Sequence, residues 1–354
     1  MGQAYRGRGA LSNPPARFLR RVAQAEDDGW YQQEVPDSIA TEIRPEAAHS
    51  IISRNDSPDI PFEQSINPYR GCEHGCIYCY ARPSHAYVDL SPGIDFETRL
   101  FYKADAARLL RAELERPGYR CSAIMLGANT DPYQPVEQRL RVTRSILEVL
   151  LAARHPVSVI TKGTLVLRDL DLLGELARLN LTRVYVSFTT LDSELKRQLE
   201  PRAASPAARL RVISALATAG VPVGVMTAPM IPAINDAELE SLLEAAAQAG
   251  ATRAGYVLLR LPHEIKELFR DWLAEHYPQR AAHVMSLVQQ SRGGQDNDPR
   301  FGMRMRGTGP WAALLRSRFE LACRRLNLNR ERAAELSTDL VRGGRGSGQL
   351  ELTL

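Results

Sequence analysis

Cys72, Cys76 and Cys79 stand in the run Asn67-Pro68-Tyr69-Arg70-Gly71-Cys72-Glu73-His74-Gly75-Cys76-Ile77-Tyr78-Cys79-Tyr80, a C-x3-C-x2-C spacing in a chain with five cysteines. Three thiolates on one short segment suggest an iron-sulfur cluster. Four protein thiolates would close a cubane or a tetrahedral zinc, whereas three leave one metal position open to a non-protein ligand, which is where chemistry can occur. Two other readings of the spacing stay open: a zinc site completed by His74 or His85, and inert buried thiols. Zinc knuckles pair C-x2-C with a second ligand pair about 12 to 20 residues on, and none follows Cys79. Gly71 and Gly75 between polar neighbours predict an exposed, tightly turned loop, which is no place for inert core thiols.

The rest of the chain supplies elements to position such a loop. Short apolar runs predict strands at Gln64 to Pro68, Ala123 to Gly127, Val157 to Thr161, Arg183 to Phe188, Val221 to Thr227 and Arg253 to Leu259. Amphipathic stretches predict helices near Asp105 to Glu115 and at Glu137 to Ala153, Asp169 to Leu179, Pro206 to Ala219 and Ala237 to Ala249. Ser205 before Pro206 and Asn235-Asp236 read as helix starts, Gly220 and Gly250 as stops. Such alternation specifies an α/β fold with a parallel sheet and right-handed crossovers. Eight units would close a full barrel, so six predict an open, partial (β/α)6 barrel. The cysteine run follows the first strand, and in parallel β/α folds the loops after the strands build the site.

Outside this core, residues 1–60 read as an extended or partly disordered arm, and 61–262 as the barrel. Residues 263–341 read as a helical C-terminal cap with helices at His263 to His276, Pro278 to Gln290 and Trp311 to Leu326, and 342–354 as a flexible tail. A hydrophobic content of 44% with 24% charged residues fits a globular protein. No apolar run approaches the roughly 20 residues of a membrane helix. The arginine-bearing first 21 residues lack an apolar stretch of signal-peptide length, and five cysteines do not form a disulfide framework, so the expected compartment is a reducing cytoplasm. The net charge of +4 does not itself argue for nucleic acid, but nine arginines face three acidic residues between Arg292 and Arg330. That excess allows a phosphate-steering face or a plain solvated helix surface.

The cysteine spacing, with aromatic Tyr78 directly before the third cysteine, resembles the signature of the radical S-adenosylmethionine (SAM) superfamily. The resemblance implies a [4Fe-4S] cluster on Cys72, Cys76 and Cys79, with SAM chelated by the open iron. It implies reductive cleavage of SAM to a 5'-deoxyadenosyl radical and an electron donor such as a flavodoxin or ferredoxin. It places Tyr78 against the adenine. It also places Asn129, Thr130 and Asp131, after the second strand, as acceptors for the SAM amino group, although Asp131 reads equally as the cap of a turn. Ser187, Thr189 and Thr190 fall where the ribose or carboxylate is held, and Arg209 follows as a cation for the carboxylate. Arg209 with Glu200 reads equally as a surface bridge between helices. Thr161-Lys162 and Ala228 to Pro232 complete the rim.

Asn-Pro-Tyr-Arg-Gly-Cys at 67–72, Thr-Asp-Pro-Tyr-Gln-Pro at 130–135, Ile-Thr-Lys at 160–162 and Leu-Glu-Pro-Arg at 199–202 are similar to a bacterial radical SAM group related to spore photoproduct lyase. Weaker likeness lies in Asp298-Pro299-Arg300-Phe301-Gly302. The hydrogen-donor cysteine of that lyase matches Ala128 here, so the donor is missing. Cys121, at the other end of the same strand, and Cys323, in the last helix, read as buried thiols, and two scattered cysteines cannot build an auxiliary cluster. The resemblance leaves three readings: a one-cluster radical SAM enzyme of unassigned substrate, lesion repair on nucleic acid, and a non-catalytic iron-sulfur redox sensor.

Overall fold

The computed structural model describes residues 5–19, 38–330 and 335–342. Along the chain come β1 (Glu42–Pro45), β2 (Ile52–Arg54), β3 (Gln64–Ile66), β4 (Tyr69–Arg70), α1 (Asp95–Thr98), β5 (Arg99–Tyr102), α2 (Ala106–Leu114) and β6 (Ile124–Leu126). Next are α3 (Glu137–Leu140), α4 (Val142–Ala152), β7 (Val157–Thr161), α5 (Leu170–Arg178), β8 (Thr182–Ser187), α6 (Ser193–Leu199) and α7 (Pro206–Thr218). The chain continues with β9 (Val223–Met230), α8 (Leu239–Gln248), β10 (Arg253–Leu258), α9 (Ile265–His276), α10 (Ala281–Gln290) and α11 (Gly309–Arg325).

Seven strands form one sheet in the order β10-β9-β8-β7-β6-β3-β2. All neighbours from β3 to β10 are parallel, and β2 pairs antiparallel with β3. The six parallel strands lie in sequence order, as the open (β/α)6 reading expects. Alternate residues such as Val157, Val159, Val184, Val186, Val223 and Val225 are buried with Leu173, Leu176, Leu216 and Leu243 of the helices. Each such side chain contributes about 1.5 to 3 kcal/mol relative to exposure. A second core gathers Cys76, Ile77 and Tyr78 with Leu199 of α6, Phe269 and Trp272 of α9 and Val284 of α10. The C-terminal helices therefore split. α9 and α10 cover the cysteine loop, while α11 packs beside α8 with Cys323 in the barrel core.

Three expectations change. The single helix expected over Glu137 to Ala153 breaks at Arg141, which adopts φ 52°. The Glu137 carboxylate accepts the Thr143 and Arg144 amides, so a side chain from α3 satisfies the free N–H groups that open α4. The described part of the N-terminal stretch is not a free arm. Arg8 donates to the Glu97 and Ile39 carbonyls, β1 pairs with β5, and β2 extends the main sheet. The C-terminal arginine excess is largely consumed internally: Arg300 pairs with Asp298, Arg304 with Asp59 and Arg318 with Glu240, and Arg325 lies 3.8 Å from Glu244. Arg292 is buried and donates to four carbonyls. Residues 1–4, 20–37, 331–334 and 343–354, including nearly all of the expected tail, lie outside the described residues. Among the described residues no helix is long and apolar enough to cross a membrane.

Two buried histidines make stability depend on pH. His85 faces the Arg99 carbonyl and His155 the Tyr119 hydroxyl, and burial lowers both to about 4. The unfolded value is about 6.5. Below it the unfolded chain takes up protons that the folded chain refuses, so stability present above 6.5 is lost as pH falls towards 4. Each histidine is expected to cost about 1.4 kcal/mol per pH unit across that window. Urea midpoints measured at pH 7 and pH 5 check this, and His155→Gln should reduce the difference. An equal midpoint at both pH values would contradict it.

Candidate active site

The cysteine loop leaves β3 at its C-terminal end and turns twice. Gly71 and Gly75 adopt φ +77° and +67°, and neither position has room for a side chain. A Cβ on Gly71 would come within 2.5 Å of Leu100, and one on Gly75 within 2.7 Å of the Glu97 carboxylate. Contrary to the expectation of an exposed loop, residues 71–78 are all buried. α9 and the N-terminal segment supply the cover, and Gly9 lies directly against the Gly75 carbonyl. The loop backbone is fastened by Cys72 N–H to Phe96 O at 2.9 Å and Ile77 N–H to Leu199 O at 3.1 Å.

Arg82 holds the loop from beneath. Its guanidinium is fully buried and donates to the carbonyls of Cys76 (2.8 Å), Gly75 (3.1 Å), Pro92 (3.1 Å) and Gly93 (2.9 Å), and to the Glu97 carboxylate at 2.5 Å. Glu97, equally buried, also accepts the Gly9 and Ala10 amides at 2.9 Å each. One ion pair thus ties the loop that carries Cys76 to the N-terminal segment.

The three thiols share one environment. Burial pushes all of them up, Cys76 to about 12, and Cys76 and Cys79 each raise Cys72 further. A bound cation reverses this logic, because a coordinating thiol is deprotonated. Among the described residues, no three His, Cys, Asp or Glu side chains are grouped closely enough to hold a single metal ion. Of the two histidines weighed as zinc ligands, His74 lies 3.3 Å from the Asp131 carboxylate, and His85 meets the Arg99 carbonyl through Nε2 while its Nδ1 is buried without a hydrogen-bond partner. Three soft thiolate donors on one loop, with no histidine completing them, fit an iron-sulfur cluster better than a tetrahedral zinc.

A polar network stands beside the thiols at the C-terminal ends of β7, β8 and β9. Glu200 is fully buried and accepts from Tyr78, Arg209 and Thr189, the last at 2.7 Å. Lys162 donates to Ser187 Oγ at 2.7 Å, lies 3.9 Å from Glu200 and sits 5.9 Å from the Tyr78 ring centre. Burial alone would raise the Glu200 carboxyl, but Arg209 and Lys162 outweigh it and lower the group to about 2. It is therefore a carboxylate at neutral pH.

The protein-family description "Radical SAM superfamily" matches residues 66–246, just over half of the chain. A protein of uncharacterised function from Mycobacterium tuberculosis is 41% identical over 232 residues, 65% of this chain and 68% of that protein. The chain belongs to the radical SAM superfamily. A protein of Acidianus two-tailed virus is 32% identical over 172 residues, 48% of this chain and 56% of that one. Among solved structures, spore photoproduct lyase complexed with dinucleoside spore photoproduct superposes with a TM-score of 0.59, covering 80% of this chain and 79% of that chain at 16% identity. That likeness establishes a shared fold.

The radical SAM signature thus lies on a loop at the expected end of the sheet, and the other site residues separate into two groups. Tyr78, Ser187, Thr189 and Arg209 converge in the Glu200 network. Arg209 is buried, and its donors go to the Ala204 and Ser187 carbonyls and to Glu200. The surface-bridge reading of this pair is thereby replaced by a buried ion pair that orients Glu200. Thr130 and Asp131 are tied into the scaffold. Thr130 donates to the Tyr69 carbonyl, while Asp131 accepts from the Tyr133 amide, Thr161 Oγ1 and the Lys162 amide. Asn129 is exposed, its amide fixed by Asn67.

Sequence reasoning placed Lys162 only on the rim and did not single out Arg82 or Glu97. A lysine ending a strand and an arginine near a cysteine run carry no local signal of their role. Ala128 and Cys121 fall at opposite ends of β6, and Cys121 lies half-buried 3.6 Å from His155.

Proposed function

We propose that this chain is a radical SAM enzyme holding one [4Fe-4S] cluster on Cys72, Cys76 and Cys79 and acting on a substrate not yet assigned. The observation that carries the reading is the adjacency of the three-thiol loop to Lys162, whose one ion-pair partner among the described residues, Glu200 at 3.9 Å, is already matched by Arg209. When bound and reduced by a flavodoxin- or ferredoxin-like donor, the cluster and SAM supply a 5'-deoxyadenosyl radical that abstracts a hydrogen atom. The chain's own residues bind and orient. Lys162 offers the ammonium that suits the methionyl carboxylate, and Ser187 aims it. Arg209, Tyr78 and Thr189 position Glu200, whose carboxylate lies 3.9 Å from the Lys162 ammonium. Asn129, exposed just after β6 with its backbone N–H on Asn67, is left free to bind through its side chain. α9 and the N-terminal segment exclude water from the loop.

Lesion repair of the spore photoproduct lyase kind is supported by the shared fold. Ala128 at the place of the donor cysteine and the internally paired arginines weigh against it.

Anaerobically reconstituted protein is expected to hold about four irons and four sulfides, and after reduction to convert SAM to 5'-deoxyadenosine and methionine. Lys162→Ala should weaken SAM binding about tenfold, the loss of one charge-assisted contact. Cluster-replete, reduced protein that binds SAM and never cleaves it would favour the sensor reading instead.

A further inference from the structure

The segment that follows α10 crosses the open side of the barrel. Met305 O accepts the amide of Leu258 at the end of β10, while Arg304 and Gly302 bind Asp59, beyond β2 at the other edge of the sheet. This strap, which contains the Asp298 to Gly302 motif, brings Arg292 and Arg304 towards Arg260, just past β10. Each of the other two has filled its hydrogen-bonding role. Arg292 donates to four carbonyls, and Arg304 pairs with Asp59 at 2.7 Å and also bonds Ser57.

Arg260 has not. Among the described residues no carboxylate lies within 4 Å of it; its Nε is buried without a partner, and its Nη1 reaches only Met305 Sδ at 3.7 Å. Its guanidinium lies over the Tyr80 ring, 5.5 Å from the centre, and Tyr80 directly follows Cys79, with its hydroxyl on the Ala128 carbonyl. Desolvation and the nearby Arg304 both disfavour its charge, and Tyr80 and Asp59 offset this only in part. A partly buried cation with unused donors is disfavoured unless something pairs with it. A rigid fork of donors with that deficit is complementary to a carboxylate or phosphate.

We propose that Arg260, backed by Tyr80 and the strap, is a substrate anchor that binds an oxyanion, phosphate or carboxylate, carried by the substrate at the barrel mouth. The assignment rests on the radical SAM reading of that mouth. It predicts that the reacting carbon lies near an anionic group.

Inorganic phosphate and acetate, each titrated against chloride at constant ionic strength, serve as probes on cluster-loaded protein, read by the unfolding midpoint. Wild type is expected to show saturable stabilisation by one of them, and which one identifies the substrate's oxyanion. Arg260→Gln should raise the apparent Kd at least tenfold. Arg260→Lys, which keeps charge without the fork, should fall between, and it decides the matter if the glutamine variant does not fold. A non-saturating response of wild type to both anions, or an unchanged response in the variants, overturns the anchor. SAM cleavage by wild type is a separate measurement. Cleavage without anion binding overturns the anchor alone, and anion binding without cleavage overturns the enzyme reading alone.

Discussion

Alanine at Cys72, Cys76 and Cys79 together is expected to give a folded protein that retains no iron and releases no 5'-deoxyadenosine above the enzyme-free background. Folding should survive because buried thiols behave as small hydrophobes, each worth roughly 1 kcal/mol on truncation. Cluster binding should not survive, because an iron-sulfur cluster is held by thiolates and no other cysteine lies on this loop. The same argument fixes a direction for pH. Without metal the thiols are neutral, with Cys76 held near 12 by burial, so ligation must displace protons and cluster assembly should be favoured as pH rises. Iron, sulfide and zinc analysis of wild type and variant checks the assignment. Zinc at one per chain in wild type, or iron retained in the triple variant, would refute it. Cys121→Ala and Cys323→Ala are the controls. Cys121 sits at the far end of β6 and Cys323 in the barrel core, so both should keep full iron content.

What could be read in the sequence follows the range of the interactions involved. β7 was legible to the residue, because Val157 to Thr161 is a short β-branched run between clear breaks and is buried on both faces. The cysteine loop was legible because its chemistry lies in a local spacing. The break at Arg141 was not, since arginine is a good helix former and the reason for its left-handed backbone is the Glu137 carboxylate capping the next helix. The packing of residues 8–10 was invisible for a similar reason. Its determinant is Glu97, nearly ninety positions on. The polarity of 129–131 announced a site, yet two of its three residues serve the scaffold. Only the three-dimensional arrangement of partners separates a carboxylate that is satisfied, such as Asp131, from a cation such as Arg260 that is not.

The second large effect is expected at the Arg82–Glu97 pair. Glu97→Ala removes the acceptor of two N-terminal amides and leaves the Arg82 charge fully buried without its carboxylate; Arg82→Ala leaves Glu97 buried and strips donors from the Gly75 and Cys76 carbonyls. Breaking one side of a buried pair costs about 3 to 5 kcal/mol, because the remaining charge has no water to return to. Urea unfolding should show that loss in either variant. Arg82→Met combined with Glu97→Leu removes both charges, so its cost should be smaller than the sum of the two single costs. The double variant should nevertheless reconstitute less iron than wild type, since no apolar side chain can hold the Gly75 and Cys76 carbonyls. Stability and iron content therefore part company in it. If the double variant regained both, the pair would serve folding only; if single variants unfolded at the wild-type urea midpoint, the pair would be dispensable and the loop would have to be held by its glycine turns and the cover of α9.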